Sequence, residues 1–223
     1  DAIVHRIPDG LDPVVATLFN PVGAGVRWAV TLPGTGAGDV VAVLGPGVRG
    51  LSAAAAAKDA GAAFVMVTGR GQRDAERLAV AGDFGADLAV DVTDTDPVRA
   101  LRDATGGLAD VVVDVTAKAP EAFGQAVALA RAGGTVVVAG TRGGPVREFQ
   151  PDHIVFKELR IVGALGVDSG AYRAALALLA SGRYPFADLP RRVATLDDAE
   201  ALIRSLAGES DEPPPVHGVI APA

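Results

Sequence analysis

Cysteine is absent from the 223 residues. Disulfides, thiolate-bound zinc and a thiol nucleophile are therefore excluded within this chain. Clustered positive charge is absent as well: the net charge is −7 and no run of Lys and Arg stands out, so a nucleic-acid partner is not expected. No apolar stretch reaches the ~18 residues that a bilayer span needs, and the first residues lack a leader pattern. A membrane partner is not expected, and the cytoplasm is the expected location. Aromatic residues are few, with one Trp and two Tyr. Trp28, Tyr172 and Tyr184 read as packing residues. Methionine occurs once, at Met66, and the chain opens on Asp1, which reads as a piece of something longer. The three histidines, His5, His153 and His217, share no ligand spacing.

What is present is the composition of a folded chain, 49% hydrophobic and 21% charged. The length allows one large domain, or one domain plus a fragment. A short helix is expected near Val14–Phe19, with helical spacing continuing through Val26, Ala29 and Val30. From residue 40 onward, short apolar runs alternate with helix-forming segments. The runs are VVAVLG (40–45), FVMVTG (64–69), LAVDV (88–92), DVVVDVT (110–116), TVVVAG (135–140) and ELRIVGAL (158–165). The first two, VVAVLG and FVMVTG, are expected to be strands buried on both faces. Helices are expected over 51–61, 74–85, 96–107, 120–134 and 170–182. Asp96 caps one of them ahead of Pro97, and Gly182 stands just past the end of the last. The alternation predicts a parallel α/β sheet with helices on both faces. Beyond about residue 184 it stops. A capped helix over 195–208, an acidic Pro-rich loop and a final strand in VHGVIAP read as part of a different layer.

Gly45, Gly47 and Gly50 form G-x-G-x-x-G immediately after the first apolar run and at the start of the first long helix. In that context Gly45 permits a tight turn, Gly47 lets backbone approach a pyrophosphate, and Gly50 lets the helix pack closely. The first helical N–H groups, from Val48 and Arg49 onward, then face the phosphates. A dinucleotide-binding loop is the expectation; the alternative is a tight turn that binds nothing. Sites for NAD usually place an acid at the end of the second strand, for the ribose 2′-OH. Here that strand ends in Thr68-Gly69-Arg70, with Arg73 following and no acid between Asp59 and Asp74. A carboxylate would repel a 2′-phosphate, whereas Arg pairs with it. NADP is therefore the expected cofactor, with NAD as the alternative.

Taken together, further segments resemble the medium-chain dehydrogenase/reductase superfamily, the relatives of zinc-type alcohol dehydrogenases. They are RIPDGLDP, GDVVAVLGPGVRGL, DFGADLAVDV, GLADVVVDVTA, ALARAGGTVVVAGT, KELRIVGALG, LLASGRYP and TLDDAEALIRSLAG followed by HGVIAP. The resemblance implies a Rossmann-type doubly wound sheet of six parallel strands, with remnants of a GroES-like domain at the termini. Residues 1–30 would link from an N-terminal catalytic domain missing here, 31–183 would form the dinucleotide-binding domain, and 184–223 would return to the catalytic one. It implies that the nicotinamide lies against Ala139-Gly140-Thr141 and Ala164-Leu165-Gly166, with Val115 and Thr116 lining the cleft. It also implies a homodimer or homotetramer, in which ELRIVGAL pairs with its copy across a two-fold axis.

The function implied is hydride transfer between NAD(P)H and a small carbonyl, alcohol, quinone or enoyl substrate. Two alternatives stay open: a zinc-dependent alcohol dehydrogenase, and a nucleotide-binding module without turnover. Asn20 aligns with the family's third zinc ligand, and a neutral amide is a poor ligand for zinc. Zinc is therefore not expected in this chain, and no catalytic residue is assigned. Asp114 is expected to make structural hydrogen bonds.

Overall fold

The structure is a computed structural model describing residues 4–145, 149–207, 209–210 and 215–221. The six runs become parallel strands, the last over its middle four residues: β1 Val40–Leu44, β2 Phe64–Gly69, β3 Leu88–Asp91, β4 Ala109–Asp114, β5 Ala130–Val138 and β6 Arg160–Gly163. They pair in the order β3-β2-β1-β4-β5-β6. Chain direction across the sheet therefore reverses between β1 and β4, the point where such sheets open a crevice at their carboxyl edge.

Strand alternation splits the core in two. Val41, Val43, Val65 and Val67 point to one face; Ala42, Leu44 and Met66 point to the other. The first face carries α2 (Phe19–Val26, continued by a π-helical turn over Arg27–Thr31), α3 (Val48–Asp59) and α8 (Ser169–Ala180). The second carries α5 (Pro97–Thr105) and α6 (Ala122–Leu129). Short helices α1 (Pro13–Ala16), α4 (Ala75–Ala79) and α7 (Asp152–Phe156) fill connections.

Ala53 to Ala57 are all buried, because α3 is sandwiched between the sheet and α2. Where α2 meets α3 not even a methyl fits: a Cβ on Gly25 of α2 would lie 2.5 Å from the Ser52 carbonyl carbon. On the other face, α5 is capped as expected. Asp96 accepts from the N–H groups of Val98 and Arg99, Pro97 opens the helix, and Leu101 is fully buried. A buried Leu contributes about 2–3 kcal/mol.

Some boundaries differ from the sequence reading. The helix expected over 74–85 breaks at Val80 into α4 and a 3-10 turn over Ala81–Phe84, with Gly85 closing it in a left-handed conformation. The helix expected over 120–134 stops at Leu129, where Ala130 turns extended and joins β5 across a bulge opposite β4. Lys157 seals this end: its Nζ donates to the carbonyls of Val127, Ala128 and Ala130 at 2.8–2.9 Å. The tail contains α9 (Ala199–Ala207) and a strand the alternation did not reveal, β7 Arg191–Ala194. β7 pairs in parallel with β8 (His217–Ile220) in a separate two-stranded sheet. No helix among the described residues is long and apolar enough to cross a membrane.

Candidate functional site

At the carboxyl ends of β1, β2 and β4 lies a cavity of about 440 Å³. Its floor is the turn from β1 into α3. Gly45 adopts φ +102°, open to glycine at no steric cost. Gly50 faces back onto that turn, where a Cβ would come within 1.8 Å of the Gly45 carbonyl oxygen. Gly47 is different: it has φ −66°, begins α3 as its N-cap, and a Cβ there would meet nothing within 4 Å. No side chain caps α3. Its first N–H groups and the positive end of its dipole are thus left for an anion.

The walls are strongly cationic. Arg49, Arg70, Arg73, Arg77 and Lys118 line the cavity against only Asp74 and Glu121. Both carboxylates are engaged. Asp74 accepts from the Arg70 N–H at 2.9 Å and from Arg77 Nη1 at 3.2 Å. Glu121 pairs with Arg70 at 2.5 Å, bridging from the end of β2 to the segment ahead of α6. Asp91 secures the β2 loop from outside the cavity. Its Oδ1 accepts from the N–H groups of Gly71 and Thr93 and from the Thr93 hydroxyl, and these bonds hold its carboxyl below the ordinary carboxylate range.

Of the residues singled out in the sequence, Gly45, Gly47, Val48, Arg49, Gly50, Thr68, Gly69, Arg70, Arg73, Val115 and Thr116 line this one cavity. Ala139-Gly140-Thr141 and Ala164-Leu165-Gly166 do not line it; they follow the carboxyl ends of β5 and β6. The two groups meet at one place. A Cβ on Gly140 would fall 1.7 Å from the Thr116 carbonyl oxygen. Leu165 is 92% exposed, and Gly166 accepts a hydrogen bond from the Trp28 indole at 3.2 Å.

Sequence reasoning missed Asp74, Arg77, Lys118 and Glu121 in the walls, and Arg142 beneath them. Arg142 is buried and forms an ion pair with Asp114, itself fully buried at the end of β4. Its Nη1 also donates to Thr116 O, Thr116 Oγ1 and Gly140 O at 2.6, 3.1 and 3.3 Å, while Nε has no partner. The signal was present in part: a carboxylate ending a wholly apolar strand must be paired. Its cation lies 28 residues on, with no periodicity to point to it.

Two of the candidates for metal binding share a neighbour, since Asn20 and His5 both contact Tyr172. Asn20 donates to the Tyr172 hydroxyl at 3.1 Å, His5 lies against Ser169, and His217 bonds Thr17. No cluster of three His, Asp or Glu side chains suited to a metal ion occurs among the described residues.

Comparison with known proteins identifies relatives of the chain. A family profile described as zinc-binding dehydrogenase matches residues 49–181. Over its whole length the chain is 68% identical to "Probable alcohol dehydrogenase adh" of Mycobacterium tuberculosis (strain ATCC 25618 / H37Rv), of which it covers 61%. A structure from Sinorhizobium meliloti 1021, described as a zinc-binding dehydrogenase and bound to NADP, superposes over 89% of this chain and 58% of its own, with TM-score 0.77 and 35% identity. The 2R,3R-butanediol dehydrogenase of Bacillus subtilis superposes over 98% of this chain and 60% of its own, with TM-score 0.81 and 29% identity. The chain thus spans about three fifths of the length of these relatives.

Proposed function

The chain belongs to the zinc-binding dehydrogenase family, and from that premise we propose that it carries the coenzyme-binding part of an NADP-dependent oxidoreductase. The reaction is hydride transfer to or from a small carbonyl, alcohol, quinone or enoyl substrate. One observation carries the coenzyme reading: an uncapped helix N-terminus and five cationic side chains converge on a glycine-floored cavity at the strand reversal. The dinucleotide, when bound, supplies the hydride chemistry. The chain's own residues bind and orient it. Gly47 and the first turn of α3 take the pyrophosphate, and Arg70 with Arg73 takes the 2′-phosphate, which must displace Glu121 from Arg70. The turns after β5 and β6, at Ala139-Gly140-Thr141 and Ala164-Leu165-Gly166, flank the nicotinamide. NADP bound to the Sinorhizobium meliloti relative supports the preference.

In this reading residues 31–183 form the coenzyme domain, 1–30 are the linker and connecting helix, with α2 packed on the sheet, and 184–223 return to a second domain. Zinc is a poor match for Asn20: its Nδ2 donates to Tyr172, and its neutral amide oxygen, the only atom it could offer a metal, is a weak ligand for zinc. The reaction is accordingly proposed to run without zinc, through positioning and electrostatic stabilisation. One tightly bound zinc per chain, with activity lost on chelation, would favour the alternative of a zinc-dependent alcohol dehydrogenase. Self-association through the β6 edge is proposed on the exposed apolar residues Val155, Phe156, Ile161 and Leu165.

The test of coenzyme choice is calorimetric titration with NADPH and NADH of the unaltered protein and of Arg70→Ala. NADPH should bind more tightly. Loss of one charge-assisted contact of about 1.4 kcal/mol should weaken NADPH about tenfold and leave NADH within about twofold. Tighter binding of NADH by the unaltered protein would overturn the assignment.

A further inference from the structure

The Asp114–Arg142 pair sits where stability alone gives little reason for it. Buried ion pairs seldom improve on well-packed apolar residues, because desolvation offsets their attraction. Apolar residues cannot, however, supply directed bonds. Arg142, 8% exposed, ties the Thr116 carbonyl and hydroxyl to the Gly140 carbonyl. Asp114 Oδ1 accepts from the Thr116 N–H at 3.1 Å and hydroxyl at 2.7 Å. The Asp114 carbonyl accepts from the N–H groups of Ala139 and Gly140 at 2.9 and 3.0 Å. One ion pair thus clamps together the turns leaving β4 and β5. A dinucleotide lying across the reversal between β1 and β4 puts one mononucleotide over each half of the sheet. The adenosine end belongs to the half containing β1–β3, where Arg70 and Arg73 stand. The nicotinamide end then belongs to β4–β6, whose first two turns are the clamped ones.

We propose that Arg142 is a positioning residue for the nicotinamide half of the coenzyme. It acts through Asp114 and the backbone of Thr116 and Gly140, setting the spacing of the two turns against which the nicotinamide ribose and ring lie. The proposal rests on the dinucleotide reading above, and its test keeps the two separable. The probes are NADPH, adenosine 2′,5′-bisphosphate and reduced nicotinamide mononucleotide, with affinities measured by calorimetry alongside Tm.

Arg142→Lys keeps the charge beside Asp114 but loses the fork that reaches both turns. It should stay folded, weaken NADPH about tenfold, weaken the nicotinamide mononucleotide similarly, and leave the adenosine bisphosphate within about threefold. Arg142→Met with Asp114→Asn removes the pair without stranding a buried charge, and should show the same split. Unchanged NADPH affinity in the double variant overturns the clamp while leaving the dinucleotide reading intact. Equal weakening of both fragments, tracking a fall in Tm, also overturns it, because that is the mark of a purely structural pair. Failure of the unaltered protein to bind NADPH and NADH overturns the dinucleotide reading, and the clamp with it.

Discussion

The substitution Gly47→Ala separates a phosphate cradle from an ordinary turn, because its two effects come from different sources. In the folded chain a methyl there meets nothing within 4 Å, and φ −66° with ψ 176° is comfortable for alanine. Alanine caps a helix less well than glycine, by about 0.5–1 kcal/mol. Restriction of the unfolded chain returns about 0.4–1 kcal/mol. Net stability should therefore move by no more than about 0.5 kcal/mol, or about 2 °C in Tm for a chain of this size. Binding should respond quite differently. If backbone at Gly47 touches a pyrophosphate, a methyl intrudes on a close contact and costs about 1–3 kcal/mol, so Kd for NADPH rises about fivefold to 150-fold. Gly50→Ala provides the contrast. Its Cβ would start 1.8 Å from the Gly45 carbonyl oxygen, where real contacts stay beyond 3.0 Å, so backbone must move by more than an ångström. That variant should lose about 1–3 kcal/mol of stability as well as affinity. Thermal denaturation by circular dichroism and calorimetric titration of both variants give the result. Unaltered Kd in a fully folded Gly47→Ala would refute the idea that the ligand approaches this backbone.

Three further outcomes are expected. Lys157→Met strands three carbonyls at the end of α6 and should cost about 2 kcal/mol, lowering Tm by about 4–8 °C; a Tm within 1 °C of the unaltered protein would mean that water caps the helix equally well. Burial, and secondarily Arg191, holds His217 below its ordinary value of 6.5. As pH falls the unfolded chain takes up this proton first, so the His217 contribution is complete above about pH 6.5 and is lost as pH drops through the folded-state value. Tm followed from pH 8 to pH 5 should therefore fall less steeply in His217→Gln than in the unaltered protein, and parallel slopes would contradict the shift. Ile161→Asp puts a charge on the β6 edge and should convert a dimer to a monomer in light scattering, whereas an unaltered protein already monomeric would remove the proposed interface.

The central strands were legible because burial on both faces leaves an almost purely apolar run, and Val41–Leu44 or Val111–Val113 can be little else, whereas β3 has one buried residue and β6 none. The glycine loop was legible because a turn needing φ +102° and a helix start lacking a Cβ leave fixed marks in sequence. Boundaries set by tertiary partners were not. The end of α6 depends on Lys157, nearly thirty residues away, and β7 depends on β8 across most of the tail. The charged walls were half legible. Arg70 and Arg73 follow their strand directly, but Glu121 reaches Arg70 only through the fold, and Arg142 reaches Asp114 in the same way.

The approach of α2 to α3 links regions that share no bond. Gly25 lets α2 rest against the α3 backbone at Ser52 and Ala53, and α2 leads into the turn carrying Trp28, whose indole holds the Gly166 carbonyl beyond β6. Enlarging Gly25 would work as a lever: thickening one layer of the core would swing α2 outward and drag the β6 turn with it. A residue with no side chain is therefore a gauge block for the distance between the two ends of the cleft, and its tolerance to substitution should be read in coenzyme geometry as much as in stability.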